Sequence, residues 1–274
     1  MVNEEDLLNK KPGVNKPLIG VAVAVVLVAL GAWYYFAHRD AKPMPTVAQV
    51  EPPPVPPAEE AIQHPMPEST DTSQPPLPDL GSSDKAISGA LGDAVGAPVI
   101  AQYLVPDNII RHMVVTVDNL PRQKVAVDRR PVVPATGTFM VNGDEEHATL
   151  DAQNFQRYEP MVAALSNINM QRVGAVYLHF YPLFQKSYQD LGYPNGYFND
   201  RLVKVIDLLL ATPQPAAPIA LVRPNVMYMF ADPALESLPA GQKLLIRMGP
   251  DNAAAVKVKL KELRAIITTS APKH

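Results

Sequence analysis

The chain has 274 residues, a formal net charge of −3 at pH 7 and 30 prolines, about twice the average usage of that residue. Part of it is therefore not built to pack into a core. A nucleic-acid binder would show a strong basic excess, which this charge lacks, and the lack of cysteine removes disulfides, thiolate metal sites and cysteine nucleophiles together.

Residues 1–17 are predicted to form a short tail ahead of residues 18–37, "LIGVAVAVVLVALGAWYYFA", which carry no charge. As a helix rising about 1.5 Å per residue this stretch measures roughly 30 Å, the thickness of a hydrocarbon core. Trp33, Tyr34 and Tyr35 close it, where amphipathic rings favour the headgroup layer. Lys10, Lys11 and Lys16 precede the span while Arg39 and Lys42 follow it, a bias that leaves the N-terminus in the cytoplasm and the rest of the chain across the bilayer. A cleaved signal peptide is the rival reading, because small residues occur at 29–31. The long start with three acids and the aromatic belt favour an uncleaved anchor.

Residues 38–80 form the predicted linker, with twelve prolines between 41 and 80 and few large apolar side chains. Such a composition cannot form a core and stays disordered, with a bias to extended polyproline II. At about 3.1 Å per residue its upper reach is on the order of 120 Å.

Residues 81–270 read as a globular domain. Helices are predicted over 83–95 and 107–120, over 154–168, and over 170–192, where Val176, Tyr177, Phe180, Leu183, Phe184 and Tyr188 share one side. Pro182 should kink that helix or start a new one. The next helix, 199–213, has Asn199 as expected N-cap and Val203, Ile206, Leu209 and Leu210 inward. Between these, Asn142-Gly143 marks a hairpin in 131–150, and a second strand pair is expected at 219–222 and 226–230. The end reads as two helices broken by Gly249 and Pro250, with Asp251 or Asn252 as cap and Val256, Leu260, Leu263 and Ile267 on one face. Lys257, Lys259, Lys261 and Arg264 occupy much of the remainder, which we take as a solvated basic face.

Catalytic signatures are absent from the sequence. His112, His147 and His179 lack metal-ligand spacing, "NGDEEH" at 142–147 lacks the ligand alternation of a calcium loop, and Lys243 follows no phosphate-binding loop. The polar stretch "LGYPNGYFNDR" at 191–201 draws the eye instead. Gly192 can close the preceding helix, and Tyr193 to Gly196 suits a type II turn. Structure does not demand Tyr197, Phe198 and Arg201, an aromatic and guanidinium set suited to sugar stacking or to anchoring a partner. The candidate binding residues are Tyr193, Tyr197, Phe198, Asn199, Asp200 and Arg201. Two further polar breaks add Asp118 and Arg122 from "DNLPR" and Arg223 from "LVRPNV".

At 104–122, 181–213, 221–238 and 240–264 the sequence resembles a family of proteobacterial envelope proteins of unknown function, domain of unknown function 3014. The matching stretches include "LVPDNIIRHMVVTVDNLPR" and "YPLFQKSYQDLGYPNGYFNDRLVKVIDLLLATP". The resemblance implies a Gram-negative inner-membrane setting and carries no active site. The expected fold is mainly α, of the α+β class, with an N-terminal transmembrane helix, a disordered Pro-rich linker and a C-terminal helical domain with a few short strands. The expected protein is single-pass, with its 81–270 domain in the periplasm, and serves as a non-enzymatic interaction or scaffolding protein of the cell envelope. Its partners would be the lipid bilayer, through 18–37, and an envelope protein or cell-wall polymer. The alternative is a peptidoglycan-binding or peptidoglycan-modifying protein, with a carboxylate such as Asp200 or Asp118 working beside Arg122 or Arg201. No cofactor, metal or nucleic acid is expected.

Overall fold

The computed structural model describes residues 61–67, 75–123, 126–144 and 146–269, all within one compact unit, Glu59–His274. The predicted tail and span at 1–37 lie outside the described residues. Among the described residues no helix is long and apolar enough to cross a membrane.

A 3₁₀ turn at Leu80–Ser82 leads into α1, Asp84–Val95, then α2, Ala97–Tyr103, and α3, Ile109–Asn119. Sequence reading missed α2, which begins directly after Gly96 with Pro98 in its first turn. The start of α3 is capped from a distance: the Asp84 carboxylate accepts from the N–H of Asn108 at 2.8 Å and of Ile109 at 2.8 Å. β1, Val141–Asn142, pairs antiparallel with β2, Thr149–Leu150, so the expected hairpin exists but its loop spans 143–148 rather than two residues. The predicted helix at 154–168 is two pieces, α4, Gln153–Gln156, and α5, Glu159–Ser166. Pro160 in the first turn of α5 explains the break, since it has no N–H to continue the ladder from α4.

α6, Met170–Asp190, continues through Pro182 as one helix, so no new helix starts there. Its Asn169 side chain caps the start by accepting from Gln171 N–H at 2.9 Å. α7, Phe198–Leu210, follows, then β3, Leu221–Val222, antiparallel to β4, Met229–Phe230, as expected. The two ladders meet at a bridge between Thr149 and Ala220. α8, Pro233–Glu236, α9, Ala240–Arg247, and α10, Pro250–Thr269, complete the chain. The class is mainly helical with short antiparallel strand pairs.

α6 is the central element: α1, α3, α7 and α10 all pack on it. Its aromatic side buries Tyr177, Phe180, Phe184 and Tyr188 with Ile109, Ile110, Val114, Phe198, Val203, Ile206 and Ile267. Gly174 lets α10 come close, because a Cβ there would stand 2.6 Å from Ile266 Cγ2. A smaller core under the strands holds Ala148, Leu150, Leu221, Phe230 and Ile246.

The basic face of α10 is largely engaged. Lys257 donates to Thr212 O at 2.7 Å and Lys259 to Ile168 O at 3.0 Å. These carbonyls lie just past the C-terminal ends of α7 and α5, where a cation offsets the negative pole of the helix. Arg264 forks onto Asp207 at 2.5 and 2.9 Å. Asn252 does not cap α10 as an acceptor; its amide donates to Phe155 O at 2.9 Å and Met248 O at 2.8 Å.

Gly249 joins the last two helices with φ +89°, and a Cβ there would meet Phe155 Cγ at 2.5 Å. Gly249→Ala is therefore expected to lower the unfolding free energy by about 3 kcal/mol, through left-handed strain and a displaced ring. Gly81→Ala, with nothing within 4 Å, should cost less than about 0.5 kcal/mol in the same urea titration.

Candidate functional site

The corner between α6 and α7 is built from inside. Gly192 has φ +115° at the end of α6, and the N–H of Gly196 donates to Tyr193 O at 3.0 Å to close a β-turn. The turn is not type II, which needs a positive φ at its third residue. Asn108 is the one non-glycine with positive φ among the described residues. Gln185 on α6 braces the corner: its amide donates to Gly196 O at 2.7 Å and its carbonyl accepts from Phe198 N–H at 2.8 Å.

Two of the aromatic rings singled out in the sequence serve this brace. Tyr193 stacks on Tyr188 with ring centres 4.6 Å apart and an interplanar angle of 21°. Phe198 stacks on Phe184 at 5.7 Å and is 1% exposed. Phe198 is thus core, while Tyr193 stays half-buried with one face on Tyr188.

Tyr197, Asn199 and Asp200 turn to a different task. They hold residues 61–67, "AIQHPMP", which the sequence had placed in the linker. Asp200 Oδ2 accepts from Gln63 N–H at 2.9 Å and Oδ1 from His64 N–H at 2.7 Å. The Tyr197 hydroxyl accepts from Met66 N–H at 2.6 Å, and Asn199 Nδ2 donates to His64 O at 2.8 Å. Residues 65 and 67 are prolines and have no N–H. The corner thus accepts from every N–H that residues 63–67 possess. Every polar contact of this clamp with the strap goes to backbone, while one side chain, Met66, enters the main core.

Asn199 is not the N-cap expected of it. Tyr197 holds that position, and the Asn199 side chain is fully buried within the first turn. Besides the strap it donates to Ile267 O at 3.1 Å and accepts from the Tyr177 hydroxyl at 3.2 Å. Burial pushes the Tyr177 phenol well above its ordinary pKa, and burial together with hydrogen bonding to Tyr197 raises that of Tyr181. Both rings therefore stay neutral around the clamp.

The second half of the site centres on Asp118, whose side chain is 2% exposed. Arg122, one turn further along, donates to its Oδ2 at 2.5 Å. Arg201 from α7 donates to Asp118 O at 2.8 Å, and its Nη2 lies 3.0 Å from Oδ1 as an ion pair without hydrogen-bond alignment. The Tyr193 hydroxyl is 3.3 Å from Oδ2. The Asp118 charge raises the pKa of Arg122. Arg223 does not join this group: its Nε donates to Val226 O at 3.2 Å and its guanidinium lies over Tyr228, both in its own hairpin.

Sequence reasoning thus found the corner and missed its occupant. Met66 between two prolines, a rare large apolar side chain in that stretch, was the available signal. Among the described residues no group of His, Asp and Glu could hold a metal ion. Lys243 is spent on a mostly buried ion pair with Glu236 at 2.7 Å. Both carboxylates considered for catalysis are already engaged, Asp118 by two guanidinium groups and Asp200 by two amides.

The family model described as protein of unknown function (DUF3014) matches residues 109–264. That range contains Tyr197, Asn199 and Asp200 and stops short of the strap. No curated protein and no solved structure matches the chain.

Because Asp118 is buried between two cations, Asp118→Ala is expected to destabilise the domain by about 3 kcal/mol or more at pH 7, leaving Arg201 partly buried without its counter-charge. Arg122, with its side chain 55% exposed, should cost less than about 1 kcal/mol on replacement by Ala. Chemical denaturation of the two variants separates these values.

Proposed function

The chain belongs to the DUF3014 family of proteins of unknown function, and from that premise we propose that it is a non-enzymatic interaction protein of the bacterial cell envelope. In this reading residues 18–37 anchor it in the inner membrane, the Pro-rich segment spaces it from the bilayer, and the helical domain works in the periplasm. The observation that carries the interaction role is the clamp: Tyr197, Asn199 and Asp200 grip a peptide segment by its backbone. Recognition of a proline-containing segment through its main chain is a binding chemistry that needs no reaction. The engagement of Asp118 and Asp200 as ion-pair and amide acceptors supports binding over wall hydrolysis, which needs two carboxyl groups facing a substrate across a gap. The burial of Phe198 likewise favours a protein partner over a glycan.

Two measurements test this. A periplasm-dependent reporter fused after Arg39 should be active, and activity of a cytoplasm-only reporter at that position would overturn the topology. Photo-crosslinking in cells from Asn195, exposed in the corner beside the clamp, should give a discrete protein adduct that Asp200→Ala abolishes. Adducts to muropeptides instead of protein would overturn the protein-partner reading.

A further inference from the structure

We propose that residues 61–67 are a resident pseudo-ligand, and that the clamp also takes in trans a peptide of another protein carrying the same x-x-Pro-Met-Pro chemistry. The inference rests on the interaction role above and names the class of partner. The strap's polar contacts with the clamp are to its main chain, so the clamp does not read the Gln63 or His64 side chain by hydrogen bonding. What it reads is a spacing: donors at the first, second and fourth residues of 63–67, and no donor at the third and fifth.

Each site of that spacing has a physical reason. Pro65 is half-buried where the corner supplies no acceptor, and any other residue there would bring an N–H to be satisfied. Met66 is the one buried side chain of the segment, unbranched and able to fill an irregular pocket. Ile62, Gln63 and Pro67 remain exposed. The strap is thus held by four hydrogen bonds and one apolar anchor, all of which a second peptide of the same pattern reproduces atom for atom. An incoming peptide competes with the strap for the same acceptors, so the strap sets the threshold for binding, and capture of a partner releases residues 61–67. The same Pro-Met-Pro sequence occurs again at 43–45, preceded by two non-proline residues, which provides a natural second probe of the pattern.

The test uses the full-length protein in nanodiscs and a fluorescent peptide with the sequence of residues 61–67, read by anisotropy. Binding to the unaltered protein is expected to be weak, and Met66→Asp, which unseats the strap, should tighten it by at least about tenfold as the blocked fraction falls. If Met66→Asp fails to fold, Gln63→Pro with His64→Pro removes two strap donors and should do the same. Adding Asp200→Ala to either should abolish the gain. A peptide with Gln replaced by Ala should bind as well as the parent, as should one with the sequence of residues 41–47. One N-methylated at the His position should not. Equal binding by the N-methylated peptide, or no gain in both unseated proteins with the domain folded, overturns the proposal. A protein adduct from position 195 in cells alongside that failure would leave the interaction role standing and remove only this ligand class.

Discussion

The side chain of Asn199 is the constraint on which the rest of this domain depends. It is fully buried, and a buried amide is tolerated only when its donors and acceptor are matched. Here the match comes from three places far apart in sequence: the Tyr177 hydroxyl on α6, the Ile267 carbonyl at the end of α10, and the His64 carbonyl on the strap. The Ile267 carbonyl is one of those that a helix end leaves without an internal partner, so one amide satisfies a helix terminus and fixes the strap at once. Moving α7 along its axis would break all three bonds. The corner at 191–198 must therefore be rigid, which Gln185 and the stacked ring pairs provide.

Carboxylates extend the same logic. Asp84 and Asp200 each sit in the first turn of a helix and accept two backbone N–H groups from a segment distant in sequence. Charge-assisted bonds of this kind are short and stronger than neutral ones, and the helix N-terminus around them favours the negative charge. Lys257 and Lys259 answer from the other end, donating to carbonyls beyond α7 and α5. Charged residues that look like a solvated surface in the sequence are in this way used to join elements. The clamp on residues 61–67 is one case of a device that the domain also uses to start α3.

What the sequence disclosed follows from local physics. The 3.6-residue recurrence of Tyr177, Phe180, Phe184 and Tyr188 marks α6, and the left-handed conformations of Gly192 and Gly249 stop helices where glycine was expected. The strand pairs at 141–150 and 221–230 follow β-branched runs and turn residues. Features set by tertiary contacts were not legible. Asn199 looks like a cap by type and position, yet its bonds are to groups more than twenty residues away. Pro182 reads as a kink or a new start, and packing of α1, α3, α7 and α10 around α6 keeps one helix across it. Residues 61–67 have the composition of a linker and become ordered only because the corner supplies acceptors in the right places. Of the candidate residues, Tyr197, Asn199 and Asp200 form the clamp, Tyr193, Arg122, Arg201 and Asp118 form an ion-pair cluster beside it, Phe198 is core, and Arg223 lies in a separate hairpin.

The most direct test of this account is amide hydrogen exchange at Gln63, His64 and Met66 in the full-length protein. Their N–H groups are bonded to Asp200 and Tyr197, so exchange should be slowed by about a hundredfold or more relative to an unstructured chain. Asn199→Ala, which touches none of those three amides, should bring all of them back toward the unstructured rate by releasing the His64 carbonyl. Exchange at the unstructured rate in the unaltered protein would contradict the account, because the strap would then not be held and the corner would be only a turn between two helices.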